Sequence, residues 1–457
     1  MITKFKSIHI RAFSLLTVFF TLIACGQSGP APSASGTSAS DGAAASSGAG
    51  SSSPGAWSFM QSLAVGASAN ATSPALATNS QGVSMAVWVQ SDGTQDRIWA
   101  RRYTAAGWEP PQVIESNANP AYPAKVGMDT AGNALVVWRQ NDAANTGTDI
   151  WAAYYHAGTG WQAPSIISHA KYAGLTTTAA DPVIAMDGNG NAFAMWSQSD
   201  NGTVPFIWTN HYVFNQGWGT ATEIASGGTF THDPQIATDN SGSATAVWLG
   251  EGGAFDYVNT ARYTPGSGWG VSSLTVDGIA GTAHAIDWTP QVAMDGNGNA
   301  IAVWSHATDT TGVATPKQVY ASLYSTASGW GALMPLQTSA TQVGASPQVS
   351  FDSSGNAWVL WEQNEGAISH IWGSQYASGA WNTAQPIETS GSDAHLPQVA
   401  IWGASSNGSA WNTAQQVENE NGDTANAALG IDAAGQGIAV WQQQYLNTSR
   451  VLGAMYQ

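Results

Sequence analysis

The sequence predicts an all-β fold, a β-propeller of four-stranded blades whose ring is closed by the first strand of the folded body. Three observations lead there. One motif recurs along most of the chain: DPVIAMDGNGNAFAMWSQSD at 181–200, TPQVAMDGNGNAIAVWSHAT at 289–308 and SPQVSFDSSGNAWVLWEQNE at 346–365. Equivalent stretches begin at Ser73, Tyr122 and Asp233, and a weaker one at Ala427. Each copy is followed by a segment such as RIWARRY (97–103) and then one such as GWEPPQVI (107–114). A unit of about fifty residues thus holds four short β-branched or aromatic runs parted by Gly, Asn, Asp and Ser. Composition agrees: hydrophobic residues reach 43% while charged residues are only 9%, which suits strands and turns and is poor for solvent-facing helices.

In chain order, residues 1–25 come first. Lys4, Lys6 and Arg11 form a positive region ahead of the apolar run AFSLLTVFFTLIA (12–24), which is too short to span a bilayer comfortably. The run ends in Leu22-Ile23-Ala24-Cys25-Gly26, which resembles the bacterial lipobox. That resemblance implies lipidation of the Cys25 thiol, cleavage before Cys25 and export. Gly26 and Gln27 stand where Asp would imply inner-membrane retention, so it also implies anchoring to the outer membrane. Residues 26–55 are Gly, Ser, Ala and Pro with almost no large apolar group, the composition of a flexible tether. Residues 56–457 are the propeller.

Within the propeller, call the strands of a blade a to d, inner to outer. Three tryptophan columns keep the register. Strand b ends in Trp88, Trp138, Trp196, Trp248, Trp304, Trp361 and Trp441. Strand c carries Trp99, Trp151, Trp208 and Trp372, with Tyr257 and Tyr320 as apparent replacements. Strand d opens with Trp57, Trp108, Trp161, Trp218, Trp269, Trp330, Trp381 and Trp411. Fixed positions mark most of these indoles as packing between blades; Trp288, Trp358 and Trp402 stand outside the columns. The segment AWSFMQSLA (56–64) reads as a strand d without a blade, and VLGAMYQ (451–457) as a strand c without a strand d, so the two complete one sheet. Seven strand-b tryptophans favour seven blades. The repeated AWNTAQ at 380–385 and 410–415 is read as an extra hairpin at about 390–418, or as an eighth blade that lost its middle.

The distance from the strand-a Pro to the strand-b Trp holds at 14 or 15 residues, whereas the b–c and d–a connections vary. Those two connections emerge on one face, and variable loops on a repeated scaffold are where binding sits. The candidate ligand residues are Trp288, Asp287 and His284 in one long d–a loop, Tyr172 in another and Tyr122 in the first. Gln90, Gln140, Gln198, His306, Gln363 and Gln443 follow the strand-b Trp by two; amides that bond loop backbone are the commoner fate. The DGNGN-type a–b turns have the alternation of a Ca²⁺ loop but no bidentate Glu, so hairpin chemistry is the preferred reading.

With one cysteine, no internal disulfide forms, and the nine scattered histidines suggest no metal site. No cofactor is expected. The formal charge is −17, and about −20 once the basic residues of 1–25 are set aside, which argues against nucleic acid. The a–b turn followed by Trp resembles the Asp-box of sialidase-like propellers, although Asp352, Gly355 and Trp361 are spaced differently. That resemblance concerns architecture; Arg97, Arg101 and Arg102 share one strand and do not suggest a converging arginine triad. Carboxylates near loops are Asp92, Asp142, Asp200, Glu251, Glu362 and Glu365, and no two can be brought together from sequence. The chain resembles bacterial secreted propeller lipoproteins, a family that implies no specific activity. The expectation is a monomeric, membrane-anchored, non-enzymatic binding or scaffolding propeller with a glycan or protein ligand; the alternative is a sialidase-like glycan hydrolase.

Overall fold

The protein is an all-β propeller. A computed structural model describes residues 5–11, 18–27, 230–251, 256–275, 290–307, 393–402, 415–416, 424–445 and 448–456, and 57–224 and 316–387 apart from short loop stretches. The second blade shows the pattern. Ala121–Met128, Ala134–Asn141 and Thr148–His156 pair antiparallel, and Gly160–Trp161 and Ser165–Ile166 form a broken outer strand.

Each innermost strand packs beside the next round the ring. The order is Ala71–Thr78, Ala121–Met128, Thr177–Met186, Phe230–Thr238, Gln291–Met294, Val343–Phe351, Asp393–Trp402, Thr424–Ile431, then Ala71–Thr78 again. Gln61–Ser62 pairs with Thr448–Tyr456, and Trp57 bridges to Tyr456, so the first strand of the body joins the last sheet as its outer strand. The sheet at Asp393–Trp402 is composite. Its middle strands are Val18–Gln27 and Phe5–Arg11, and Gln415–Gln416 lies at its edge. Cys25 there lies opposite Ser7 and Ala394.

The strand-b tryptophans are the core. Trp88, Trp138, Trp196, Trp304, Trp361 and Trp441 are fully buried between sheets. Cutting one back to Ala would cost ~3–5 kcal/mol. Strand alternation puts residue i+2 on the same face, so the Gln two positions on reaches the indole. Trp88, Trp138, Trp196, Trp361 and Trp441 each donate Nε1–H to the Oε1 of Gln90, Gln140, Gln198, Gln363 and Gln443, at 2.9–3.2 Å. Gln140 in turn donates to the Asn119 carbonyl in the d–a connection. Opposite the strand-b Trp on strand c stand Trp99, Trp151, Trp208, Tyr320 and Trp372. In the fourth blade the partner of Trp248 is Asn259, and Tyr257 lies opposite Gly250, two residues from its expected place.

The a–b turns are closed by their own Asp. In Asp129, Asp187, Asp239, Asp295, Asp352 and Asp432, Oδ1 accepts the backbone N–H four residues on at 2.8–2.9 Å. The intervening Gly adopts positive φ, as at Gly190 (φ 92°). Turns also bond to neighbours: Thr130 N donates to the Gly188 carbonyl, Gly188 N to Asn240 Oδ1, and Ala433 N to the Ser80 carbonyl. The carboxylates are thus consumed by hairpin chemistry, and this face of the ring is stitched tight.

Candidate functional site

On the opposite face the b–c and d–a connections meet: Asn119 Nδ2 donates to the Asn141 and Asp142 carbonyls, and Thr148 bridges to Thr178. Tyr122 sits here at the mouth of the ring, with the Arg139 guanidinium 3.9 Å from its ring centroid. Tyr172, His284, Asp287 and Trp288 lie outside the described residues. The arginines of the first blade are spent locally. Arg97 pairs with Asp92 at 2.7 Å and Glu115 at 3.4 Å, Arg101 donates to the Glu109 carbonyl, and Arg102 to Glu109 Oε1 at 2.8 Å. Asp92 is held well below the usual carboxylate range by the Thr94 hydroxyl and then Arg97. Asp142 is lowered by the Thr146 backbone N–H. These are loop-closing carboxylates. Among the described residues no group of three His, Cys, Asp or Glu is placed to hold a metal ion.

A concave site opens elsewhere, between the third and fourth blades. Its origin is a single column of the repeat. In the first, second and fourth blades the residue before the strand-c Tyr reaches across to the next blade's Tyr. Arg102 lies over Tyr155 at 5.7 Å, Tyr154 stacks on Tyr212 at 5.4 Å, and Arg262 lies over Tyr324 at 4.5 Å. At the third blade this residue is His211. It lies flat against Phe193, its cross-strand partner, with ring centroids 4.1 Å apart and planes 7° apart. It meets Tyr263 of the next blade only edge-on, at 5.3 Å. Beside this edge-on contact lies a cleft of about 700 Å³, within the range of small-ligand sites.

The walls are aromatic. Phe193 approaches Tyr263 at 4.6 Å and Trp269 at 5.5 Å; Trp218 borders the cleft from the third blade's outer strand, with its ring edge-on to Tyr212 on the side of the second blade. Tyr263 and Trp269 form the edge-on strand-c to strand-d pair that also recurs as Tyr155–Trp161 and Tyr324–Trp330, so the fold holds these rings in place. Gln216 and Thr222 supply polar groups at the rim, while Glu223 stands opposite Trp208, on the face of the sheet turned to the second blade. Burial pushes the His211 imidazole below its ordinary pKa, against a smaller opposing pull from Asp187.

Loop-length reasoning did not point to this cleft, because it is built from strand positions on the tight-turn side. The signal was present in the columns: Met85, Leu135, Phe193, Thr245, Ile301, Trp358 and Ile438 share one strand-b position, and only in the third blade does a large ring there face a His. The same column explains Trp358, which is buried in the sixth blade.

No family model matches the chain, and no curated protein matches it. Among solved structures, polysaccharide lyase Uly1 is similar at 10% identity over 82% of this chain and 88% of that one, TM-score 0.49. An ulvan lyase is similar at 10% identity over 85% and 94%, TM-score 0.49. The Hadza microbial sialidase Hz136 is similar at 15% identity over 64% of this chain, TM-score 0.41, and this chain spans 63% of the sialidase's length. At such values the likeness carries no argument about what this chain does.

Proposed function

We propose that this chain is a binding propeller of the cell envelope, anchored through Cys25, and that the cleft between its third and fourth blades holds a glycan. The observation that carries the reading is the cleft itself: an open, aromatic-walled hollow at one blade junction where the neighbouring junctions are bridged by Arg or Tyr. Indole and phenol faces pack on the apolar faces of sugar rings, while rim amides and hydroxyls bond the sugar hydroxyls. Binding fits better than hydrolysis, since glycoside cleavage uses two facing carboxylates and Glu223 is the one carboxylate in the described lining.

The ring is best counted as eight sectors, because Asp393–Trp402 takes its place among the innermost strands between Val343–Phe351 and Thr424–Ile431. The 30-residue spacing between Trp381 and Trp411 then reflects a blade short of its two middle strands. Cleavage before Cys25 would remove most of the segments paired there.

The test is retention of the full chain on immobilised glycans, with Trp269→Ala beside it. The expected result is retention of a defined glycan class, weakened roughly tenfold or more in the variant, with little change in thermal midpoint because Trp269 is only part-buried. Retention of no glycan would overturn the reading.

A further inference from the structure

We infer that Arg139 and Lys125 of the second blade hold an oxyanion at the loop-side end of the axial channel, a site separate from the cleft. Strand register brings the two together. Lys125, on the innermost strand, lies opposite Val137, and Arg139 is two residues beyond Val137 on the same strand. Alternation puts Val137 and Arg139 on one face, so the two cations are diagonal neighbours, roughly 7–8 Å apart at Cα. That face is turned to the third blade, since Val137 packs with Ala194 and Trp196. A bulge between Trp138 and Gln140 sets Tyr122 and Pro123 against Arg139. The Tyr122 ring takes one side of the guanidinium at 3.9 Å, which leaves the N–H edge for a ligand.

In a chain with 29 acidic and 12 basic residues, cations usually find acids or carbonyls. Arg97, Arg101, Arg102 and Arg262 each do so. Among the described residues Arg139 and Lys125 have no such partner. On the facing blade, Asp200 accepts from Gln198 Nε2 at 3.0 Å and Asp181 lies in the strand-a bulge, and neither pairs with them. Lys125 is exposed to solvent, yet the protein around it pushes its ammonium below the ordinary pKa. Both hold for a side chain in the axial channel: a blade covers each face of its strand, and water arrives along the bore. Gln235, Gln291 and Gln348, part-exposed, occupy the equivalent position in the fourth, fifth and sixth blades, so the bore is polar at this depth.

Two neighbouring cations, one of them partly desolvated, repel each other. An oxyanion between them removes that cost and replaces lost water with charge-assisted hydrogen bonds. The guanidinium fork, held flat on Tyr122, matches two oxygens of a carboxylate or phosphate. The formal charge of −17 opposes approach of a polyanion. The fit is therefore to one small acidic group, either free phosphate or a carboxylate carried on a saccharide.

Titration calorimetry of the full chain tests this with inorganic phosphate, glucuronate and, as its uncharged match, glucose. The variants are ones the repeat already accommodates: Lys125→Gln, because Gln235, Gln291 and Gln348 stand at that position, and Arg139→Ser, because Ser197 and Ser305 follow their strand-b Trp in the same way. At least one anion should bind, glucuronate if bound should exceed glucose about tenfold or more, and each variant should weaken the anion about tenfold or more. Trp269→Ala, in the cleft, should leave anion affinity within about twofold. Binding of phosphate alone identifies a free anion as the occupant, and of glucuronate alone an acid borne on a sugar. Binding of neither anion, glucose bound as well as glucuronate in the absence of phosphate binding, or affinity unmoved by both Lys125→Gln and Arg139→Ser would overturn the inference.

Discussion

Replacing Gln90 with Leu probes how the blades are locked. Gln90 is buried at 2% exposure, and its Oε1 accepts from Trp88 Nε1 at 2.9 Å and from Val65 N at 3.2 Å, while its Nε2 donates to the Val65 carbonyl at 2.7 Å. Leu fills much of the same volume and supplies none of these bonds. Trp88 is fully buried, so its indole N–H would be left without water or protein, at about 1–3 kcal/mol. Val65 is exposed and its peptide groups can turn to water, so that part adds at most ~1 kcal/mol. The expected loss is about 1–4 kcal/mol. Trp88→Phe removes the stranded N–H, so the double variant should fall short of the sum of the singles by ~1–2 kcal/mol. Equilibrium denaturation of the full chain with both singles and the double closes the cycle. A Gln90→Leu loss under about 0.5 kcal/mol, or strict additivity, would refute the latch.

Three further outcomes follow from the same geometry. Asp187→Ala removes the acceptor for Asn189 N, Asn191 N and Asn191 Nδ2 and should cost about 2–4 kcal/mol, whereas calcium or a chelator should leave the thermal midpoint of the unmodified chain within about 1 °C. Burial holds the His211 pKa below its unfolded value of about 6.5, so the unfolded chain takes up the proton first; stability is unaffected above that pH and is lost as pH falls through it, and His211→Gln should flatten this part of a melting profile taken between pH 8 and 5. Cys25→Ser should abolish lipid labelling and move the protein from the membrane fraction to the soluble one; unchanged fractionation would contradict the anchor.

Much of the architecture was legible because the repeat writes the same physics many times. A Trp and a Gln two apart on one strand, an Asp four residues before its Asn, and a Gly between them each recur in several blades. The orphan outer strand at 56–64 was legible for the same reason, since its Trp57 matches a column whose blade is missing. The sheet at Asp393–Trp402 was harder: its middle strands come from 5–27, far off in sequence and outside the repeat, and no periodicity links them. The cleft was missed because loops were compared by length, while the cleft arises from side-chain size at one strand position. His211 in place of an Arg or Tyr changes no spacing and no turn; its effect appears only when the neighbouring Tyr263 and Trp269 are placed in space. Tyr257 stands near the strand-c column in sequence, but the register puts Asn259 opposite Trp248, so proximity to the column alone does not locate the partner.

The central claim is that ligand binds in the cleft beside His211, where that ring stacks on Phe193 and meets Tyr263 edge-on instead of lying across it. His211→Arg tests it most directly, because the fold already accommodates Arg at this position in the first and fourth blades, through Arg102 over Tyr155 and Arg262 over Tyr324. The measurement is glycan affinity of the full chain by titration calorimetry, with a melting curve alongside. The account expects the arginine to lie across Tyr263, fill the cleft and weaken binding by roughly a hundredfold or more, equivalent to about 2.7 kcal/mol, with the thermal midpoint unchanged or raised. Unaltered affinity in a folded His211→Arg protein would contradict it.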